Sequence, residues 1–315
     1  MKLYKLISTS GMDHSEWLKY RKKGIGGSDA GAVCGLSPYA TAISVYMDKK
    51  NLSAEKTDNE AMRQGRDLEE YVAKRFCEET GKKVRRANAI YQHPQHGFML
   101  ANVDRLVVGE DAGLECKTAS AYGAQNWEDG RIPPHYEIQC HHYMAVTGAS
   151  AWYIACAILG RGFVWQKIER DEELIRNLIS IERSFWYENI QGDKMPAPDG
   201  SDAAEEIIKE RYKKASSDCS VEITDDILEK LNRRSEVLSI IDKLNAEKAK
   251  IEQEVKMYME DAEIASGGKY RVTWKNVVSN RVDTASLKRD FPDVYRKVLK
   301  ESSSRRFLIK EREEN

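Results

Sequence analysis

NVDRLVVGEDAGLECKT, residues 102–118, sets two β-prone runs on either side of Gly-Glu-Asp-Ala. Turn residues between such runs mark a hairpin. GFMLANVDRLVV (97–108) and GLECKT (113–118) are therefore expected as its strands. Strand residues two apart face one side, so Glu115 and Lys117 project together while Cys116 points into the protein. The partner strand can bring Asp104 beside Glu115. Close carboxylates repel unless a cation lies between them, and hard oxygen ligands favour Mg²⁺ or Mn²⁺. Lys117 beside such an ion can orient or deprotonate water, or stabilise charge on a phosphate. This is the logic of metal-assisted phosphodiester hydrolysis. By spacing alone, the pattern more often marks a hairpin of solvated salt bridges, and paired carboxylates in aminoacyl or sugar chemistry would need no lysine here. The surroundings must decide.

Helices flank the hairpin. Gly65 to Thr80 reads as one, with Leu68, Val72 and Phe76 four apart and Gly81 as its stop. Glu69 on it can supply a further metal ligand or hold a metal-bound water, whereas Glu70 reads as surface. Downstream, Pro133 and Pro134 open a helix that Gly148 closes. Tyr136, Gln139 and Tyr143 share one face of it, where the Gln139 amide can bond a phosphate or a metal-bound water. His141 and His142 diverge by ~100° and do not easily share an ion. DNA contact or packing suits them better.

Upstream lies RKKGIGGSDAGAVCG (21–35). A dinucleotide fingerprint, G-x-G-x-x-G, would need glycine where Asp29 stands. The loop also follows a helix, and no Walker lysine–threonine pair is present, so a cofactor loop fits poorly. A tight turn entering a helix remains, with free N–H groups facing any anion. Ser28 adds a hydroxyl and Arg21 a bidentate cation. The plainer alternative is a structural glycine turn with Ser28 as the N-cap.

Three regions are expected: a core over 1–195, a linker with a short helix over 196–223, and a C-terminal region over 224–315. QGDKMPAPDGSD (191–202) marks the join. In the core, helices are expected at 13–23, from Thr41 to about 50 and over 171–190, with a strand pair over 151–169. In the C-terminal region a long helix runs from Thr224 to about 262. Val237, Ile241, Leu244, Lys248, Ile251, Val255, Tyr258 and Ala262 form a narrow seam on it, broken only by Lys248. KYRVTWKNVV reads as a strand, DTASLKRDFPDVYRKVLK as helical and RRFLIK as a last strand. The net charge of -1 over 315 residues gives no global argument for nucleic-acid binding, so DNA contact needs a local basic patch. No membrane-spanning run, signal peptide or CxxC pair is present, and the chain reads as cytoplasmic with reduced thiols.

Trp17 with Arg21, GIGGSDAGAVCGLSPY (24–39), GRDLEE (65–70), NVDRLV (102–107), GLECKT (113–118), YEIQCHHYMAVTG (136–148) and SAWYIA (150–155) occur in this order. Together they resemble the lambda-exonuclease/YqaJ-type viral recombinase nucleases, a branch of the PD-(D/E)XK superfamily. The resemblance implies an α/β (α+β), restriction-endonuclease-like core with a mixed central sheet flanked by helices. It implies Asp104 and Glu115 as metal-binding carboxylates, the Cys116 backbone carbonyl completing the shell, and Lys117 as the catalytic lysine. Two Mg²⁺ or Mn²⁺ ions would be held. Glu69 matches the family's helical glutamate and Gln139 its helical glutamine. Arg21, Ser28 and Gln139 would hold the 5′-phosphate of a DNA end. Asn102 stands where the lambda enzyme has serine, and its amide can still donate a hydrogen bond to that phosphate. Tyr136 and His141 are further candidate DNA contacts.

The activity implied is digestion of linear duplex DNA from 5′ ends by a ring-shaped trimer. It leaves 3′ single strands for a phage single-strand annealing protein in a bacterial host. The tail at 200–315 suggests oligomerisation, partner docking, DNA guidance by Arg305 and Arg306, or plain packing on the core. Two alternatives stand: an endonuclease on branched or nicked DNA, and a non-catalytic DNA-end scaffold. The end pocket argues against the first, and intact Asp104, Glu115 and Lys117 against the second.

Overall fold

A computed structural model of the chain describes residues 1, 3–53, 59–216, 219–301 and 304–311. The chain forms two compact units, Met1–Tyr212 and Lys213–Asn315.

The hairpin exists, but the run expected as its first strand is split between two sheets. β5 (Met99–Asn102) pairs antiparallel with β4 (Ala89–Gln92) and parallel with β2 (Ile25–Gly26). With β1 (Lys5–Ser8) these make a four-stranded sheet of order β1-β4-β5-β2. β6 (Arg105–Val107) instead pairs with β7 (Ala112–Ala119), Arg105 opposite Leu114. It belongs to a five-stranded sheet, β3-β6-β7-β8-β9, with β3 (Val84–Arg86), β8 (Ala151–Ile158) and β9 (Gly162–Glu169). Val103 and Asp104 are the crossing between the sheets. Asp104 therefore lies just past the ladder, with its carboxylate free of the strand pleat.

β7 and β8 run parallel through α5 (Pro134–Thr147), as a parallel pair requires. β8 is buried along its whole length, the pattern of a strand covered on both faces. Trp152, Ile154 and Cys156 join Cys140, Tyr143 and Met144 of α5 in one core cluster. The alternate residues Tyr153 and Ala155 meet Val72 and Phe76 of α4 (Glu60–Thr80) in a second. Gly113 makes room for Trp152, whose ring would lie 2.3 Å from any Cβ there.

The helix ends follow from capping. α4 starts earlier than Gly65 because the Asn59 side chain accepts from the Met62 N–H at 2.9 Å. It ends at Gly81, with φ +70. The expected short helices appear as α1 (His14–Arg21), α2 (Gly27–Val33), and α3 (Ala42–Lys49) capped by Thr41. α6 (Glu172–Ser184) continues as a π-helical turn, and Ala204 of α7 (Asp202–Arg211) is buried in the first unit's core.

In the second unit, α8 (Asp225–Met259) stops short of the expected 262, because the chain reverses at Glu260 with φ +48. At 1.5 Å per residue α8 is about 50 Å long. Its seam residues Ile241, Leu244 and Ile251 are exposed. β10 (Ile264–Gly267) and β11 (Tyr270–Thr273) form a hairpin, so the strand expected over 269–278 ends at Thr273. α9 (Thr284–Asp290) and α10 (Pro292–Val298) follow. RRFLIK is not a strand: residues 305–310 join no ladder. Among the described residues no helix is long and apolar enough to cross a membrane.

Candidate active site

At the sheet crossing, Asp104 Oδ2 accepts from the Cys116 backbone N–H at 2.9 Å. Burial pushes the Asp104 carboxyl well above its ordinary pKa, and Glu115 and Glu69 push the same way against Lys117. Glu115 is 3% exposed. Its Oε1 accepts from Lys117 Nζ and Gln139 Nε2, each at 2.6 Å, whereas its buried Oε2 has no partner among the described residues. Burial alone would lower the Lys117 pKa, but Glu115, Tyr136 and Asp104 outweigh it and hold the ammonium above its usual value. The same Nζ lies 4.5 Å from the centre of the Tyr136 ring.

On the other side, Arg21 Nη2 donates to Ser28 Oγ at 3.0 Å, and the Arg21 guanidinium sits 5.0 Å from the Trp17 ring centre. Trp17 Nε1 donates to Asn102 Oδ1 at 3.2 Å. Beneath them, Asp29 binds buried Lys49 at 2.6 Å and Arg21 at 3.5 Å. Asp29 also accepts from the Gly26 N–H at 2.9 Å, closing the start of α2. Ser28 is thus not the N-cap; Gly26 is, and the Ser28 hydroxyl is left to Arg21. Burial would raise the Asp29 pKa, but Lys49 and Arg21 outweigh it and hold it low. The glycines serve close packing. A Cβ on Gly27 would lie 2.5 Å from the Tyr143 ring, and one on Gly31 2.8 Å from His135.

One cavity of about 230 Å³ joins the two sides. Arg21, Ser28, Asn102, Asp104, Glu115, Lys117 and Gln139 all line it, with Trp17 and Tyr143. Tyr136 reaches it through Lys117. Glu69 does not line it: its carboxylate pairs with the buried Arg105 guanidinium and acts on Asp104 through space. The DNA contact considered for His141 needs correction. Its side chain is packed inside, 2% exposed, beside Asp171 and Arg170 and away from the cavity. Asp29 and Lys49 were missed, although a lysine four residues after Val45 on an otherwise apolar stripe signals a buried acid.

The donor set suits a hard cation. Glu115 is buried and Asp104 half-buried, one Glu115 oxygen lacks a partner among the described residues, and the Cys116 carbonyl is an additional oxygen on the same strand. Among the described residues no three His, Cys, Asp or Glu side chains converge on one point. Mg²⁺ accommodates this, since it is commonly held by one or two carboxylates with water and substrate oxygens.

Comparison with known proteins places the chain. A family model described as a YqaJ-like viral recombinase domain matches residues 16–150. The chain is 44% identical over 309 residues to the uncharacterized protein YqaJ of Bacillus subtilis (strain 168), covering 97% of each. This chain belongs to the YqaJ family. Among solved structures, it is similar to an alkaline exonuclease, LHK-Exo, from Laribacter hongkongensis, at 20% identity and a TM-score of 0.49. LHK-Exo in complex with dAMP aligns at 21% identity and a TM-score of 0.50, over 62% of this chain and 97% of that one. The YqaJ-family chain shares that fold, mixed sheets flanked by helices.

Proposed function

We propose that this chain is a metal-dependent nuclease that digests linear duplex DNA from 5′ ends and leaves 3′ single strands for recombination. The observation that carries the reading is the single cavity. It puts the Asp104–Glu115–Lys117 cluster beside the Arg21–Ser28 pair. A phosphodiester entering there meets carboxylates on one wall and a guanidinium with a hydroxyl on the other.

Asp104, Glu115 and the Cys116 carbonyl would hold Mg²⁺ or Mn²⁺, one ion or two. Such an ion, when bound, supplies Lewis-acid activation of the phosphate and lowers the pKa of water. The Lys117 ammonium, bonded to Glu115 at 2.6 Å, would stabilise negative charge growing on the phosphate. Glu69 steadies the acidic side through Arg105. Arg21 and Ser28 take the terminal 5′-phosphate, with Asn102 held at its edge by Trp17. Sequential cutting from an end needs such a pocket, whereas internal cutting does not. The double-stranded DNA end is thus the substrate, and an annealing protein and a homo-oligomeric ring are the partners proposed with it.

The test is digestion in Mg²⁺ of linear duplex with 5′-phosphate or 5′-hydroxyl ends, set beside closed circular DNA. Linear 5′-phosphorylated duplex should be consumed fastest and circles spared. Equal cutting of circles would replace the exonuclease reading with an endonuclease.

A further inference from the structure

We infer that Tyr143 is a positioning residue that fixes Gln139 as a hydrogen-bond acceptor toward the cavity. This rests on the nuclease reading only for its consequence in catalysis; the geometry stands apart from it.

Gln139 Nε2 donates to Glu115 Oε1 at 2.6 Å and to Tyr143 Oη at 2.8 Å. Tyr143 Oη in turn donates to the Asn102 carbonyl at 3.2 Å. The polarity of this chain is set by its ends. A backbone carbonyl only accepts, and a carboxylate held beside Lys117 only accepts. The tyrosine proton must therefore go to Asn102, which leaves its oxygen to accept from Gln139. The amide orientation follows from these partners. Both amide hydrogens are then committed, and what Gln139 has left for a ligand is its carbonyl oxygen.

An acceptor at this place does not suit a phosphate oxygen, which also accepts. It suits a donor: a water or a hydroxyl. The role expected for Gln139 thereby narrows from phosphate or water to water alone. In the proposed reaction that water is the nucleophile or one held by the carboxylates.

Tyr143 is well built to hold this orientation. It is 4% exposed, its ring centre lies 5.2 Å from that of Trp152, and Gly27 leaves the space its ring occupies. The tyrosine thus spans the turn that carries Ser28, the end of the strand that carries Asn102, and the helix that carries Gln139. Without the hydroxyl the amide keeps Glu115 but gains a free N–H, and it can rotate that donor into the cavity.

Tyr143→Phe keeps the ring and removes only the hydroxyl. Losing one neutral hydrogen bond that acts in the transition state predicts a kcat about tenfold lower. KM and the preference for 5′-phosphate should be unchanged. In a Gln139→Ala background the same substitution should have no further effect, because its route is gone. A second readout needs no activity. The side-chain amide proton pair that Gln139→Ala removes from the NMR spectrum should show one shifted, faster-exchanging proton in Tyr143→Phe. An unchanged proton pair overturns the inference whatever the activity, as does a kcat loss that is fully additive with Gln139→Ala. A shifted pair in Tyr143→Phe, together with a wild-type protein that cuts no DNA, supports the Tyr143 geometry and counts against the nuclease reading alone.

Discussion

Asp29 stands where a dinucleotide loop would have glycine, and its neutralisation tests what that loop is for. In Asp29→Asn the amide oxygen can still accept from the Gly26 N–H, so the start of α2 is preserved. The loss falls on Lys49, whose side chain is 0% exposed and 2.6 Å from the carboxylate. One further bond remains to it, to the Arg21 carbonyl at 2.9 Å. Breaking a buried pair from one side costs about 3–5 kcal/mol. For a unit of this size the expected fall in Tm is roughly 6–20 °C.

Differential scanning calorimetry measures this fall, and the double variant Asp29→Asn/Lys49→Met should recover most of it. The pH dependence has a definite sign. The folded pKa of Asp29 is depressed below its ordinary 3.8, so its stabilisation is present above that pH and lost as pH falls through the folded value. The variant should therefore lose less Tm than wild type on acidification below about pH 4. A fall in Tm under about 3 °C at pH 7, with no recovery in the double variant, would refute the claim that this pair anchors the loop.

Asp104→Asn and Lys117→Met should each lower the cleavage rate by more than about a hundredfold in a linear-duplex assay, with circular dichroism unchanged. Arg21→Ala should cut 5′-phosphate and 5′-hydroxyl ends at equal rates. Gly113→Ala should lose about 1–3 kcal/mol by urea melting from its clash with Trp152, and Trp152→Phe should restore part of it. The buried pair His142–Glu182, 2.7 Å apart, predicts an alkaline limb. Burial would lower the His142 pKa, but Glu182 overrides it and raises it. The His142 contribution is then full below about pH 6.5 and falls as pH rises through the raised value, whereas burial raises the Glu182 pKa, which works against stability above about pH 4.5. Tm against pH should show that fall in wild type and a smaller one in Glu182→Gln.

Legibility of the site tracked the range of the interactions. Glu115 and Lys117 were readable because a two-residue strand period fixes their common face without knowledge of the fold. The Tyr136–Gln139–Tyr143 face was equally local, set by the helical period. What the residues alone could not give was the break at Val103–Asp104. A run of twelve β-prone residues reads as one strand, and only competition between β4 and β7 for its two halves splits it. That split frees Asp104 to bond Cys116. The long C-terminal helix was legible from its period, whereas RRFLIK was apolar enough for a strand but has no strand beside it among the described residues to complete a ladder.

The Arg21–Asp29–Lys49 cluster shows the same limit from the other direction. Every member is visible in the sequence, but a glycine-rich loop with a serine and an arginine invites a ligand reading for each of them. The structure divides them. Asp29 and Lys49 spend their charges on each other beneath the surface, and Gly27 and Gly31 yield space to Tyr143 and His135. Arg21 and Ser28 are the polar side chains of this group that line the cavity, and Arg21 is partly satisfied by Asp29. A free arginine would bind any anion. One already leaning on a buried carboxylate gains less from a weak anion, so the pocket should favour a dianionic terminal phosphate over the monoanionic diester of an internal linkage. Titration of inorganic phosphate and of a phosphodiester analogue against linear-duplex cleavage measures this. Competition by phosphate at concentrations where the diester has no effect is the expected result, and equal competition would remove Arg21 as the source of end preference.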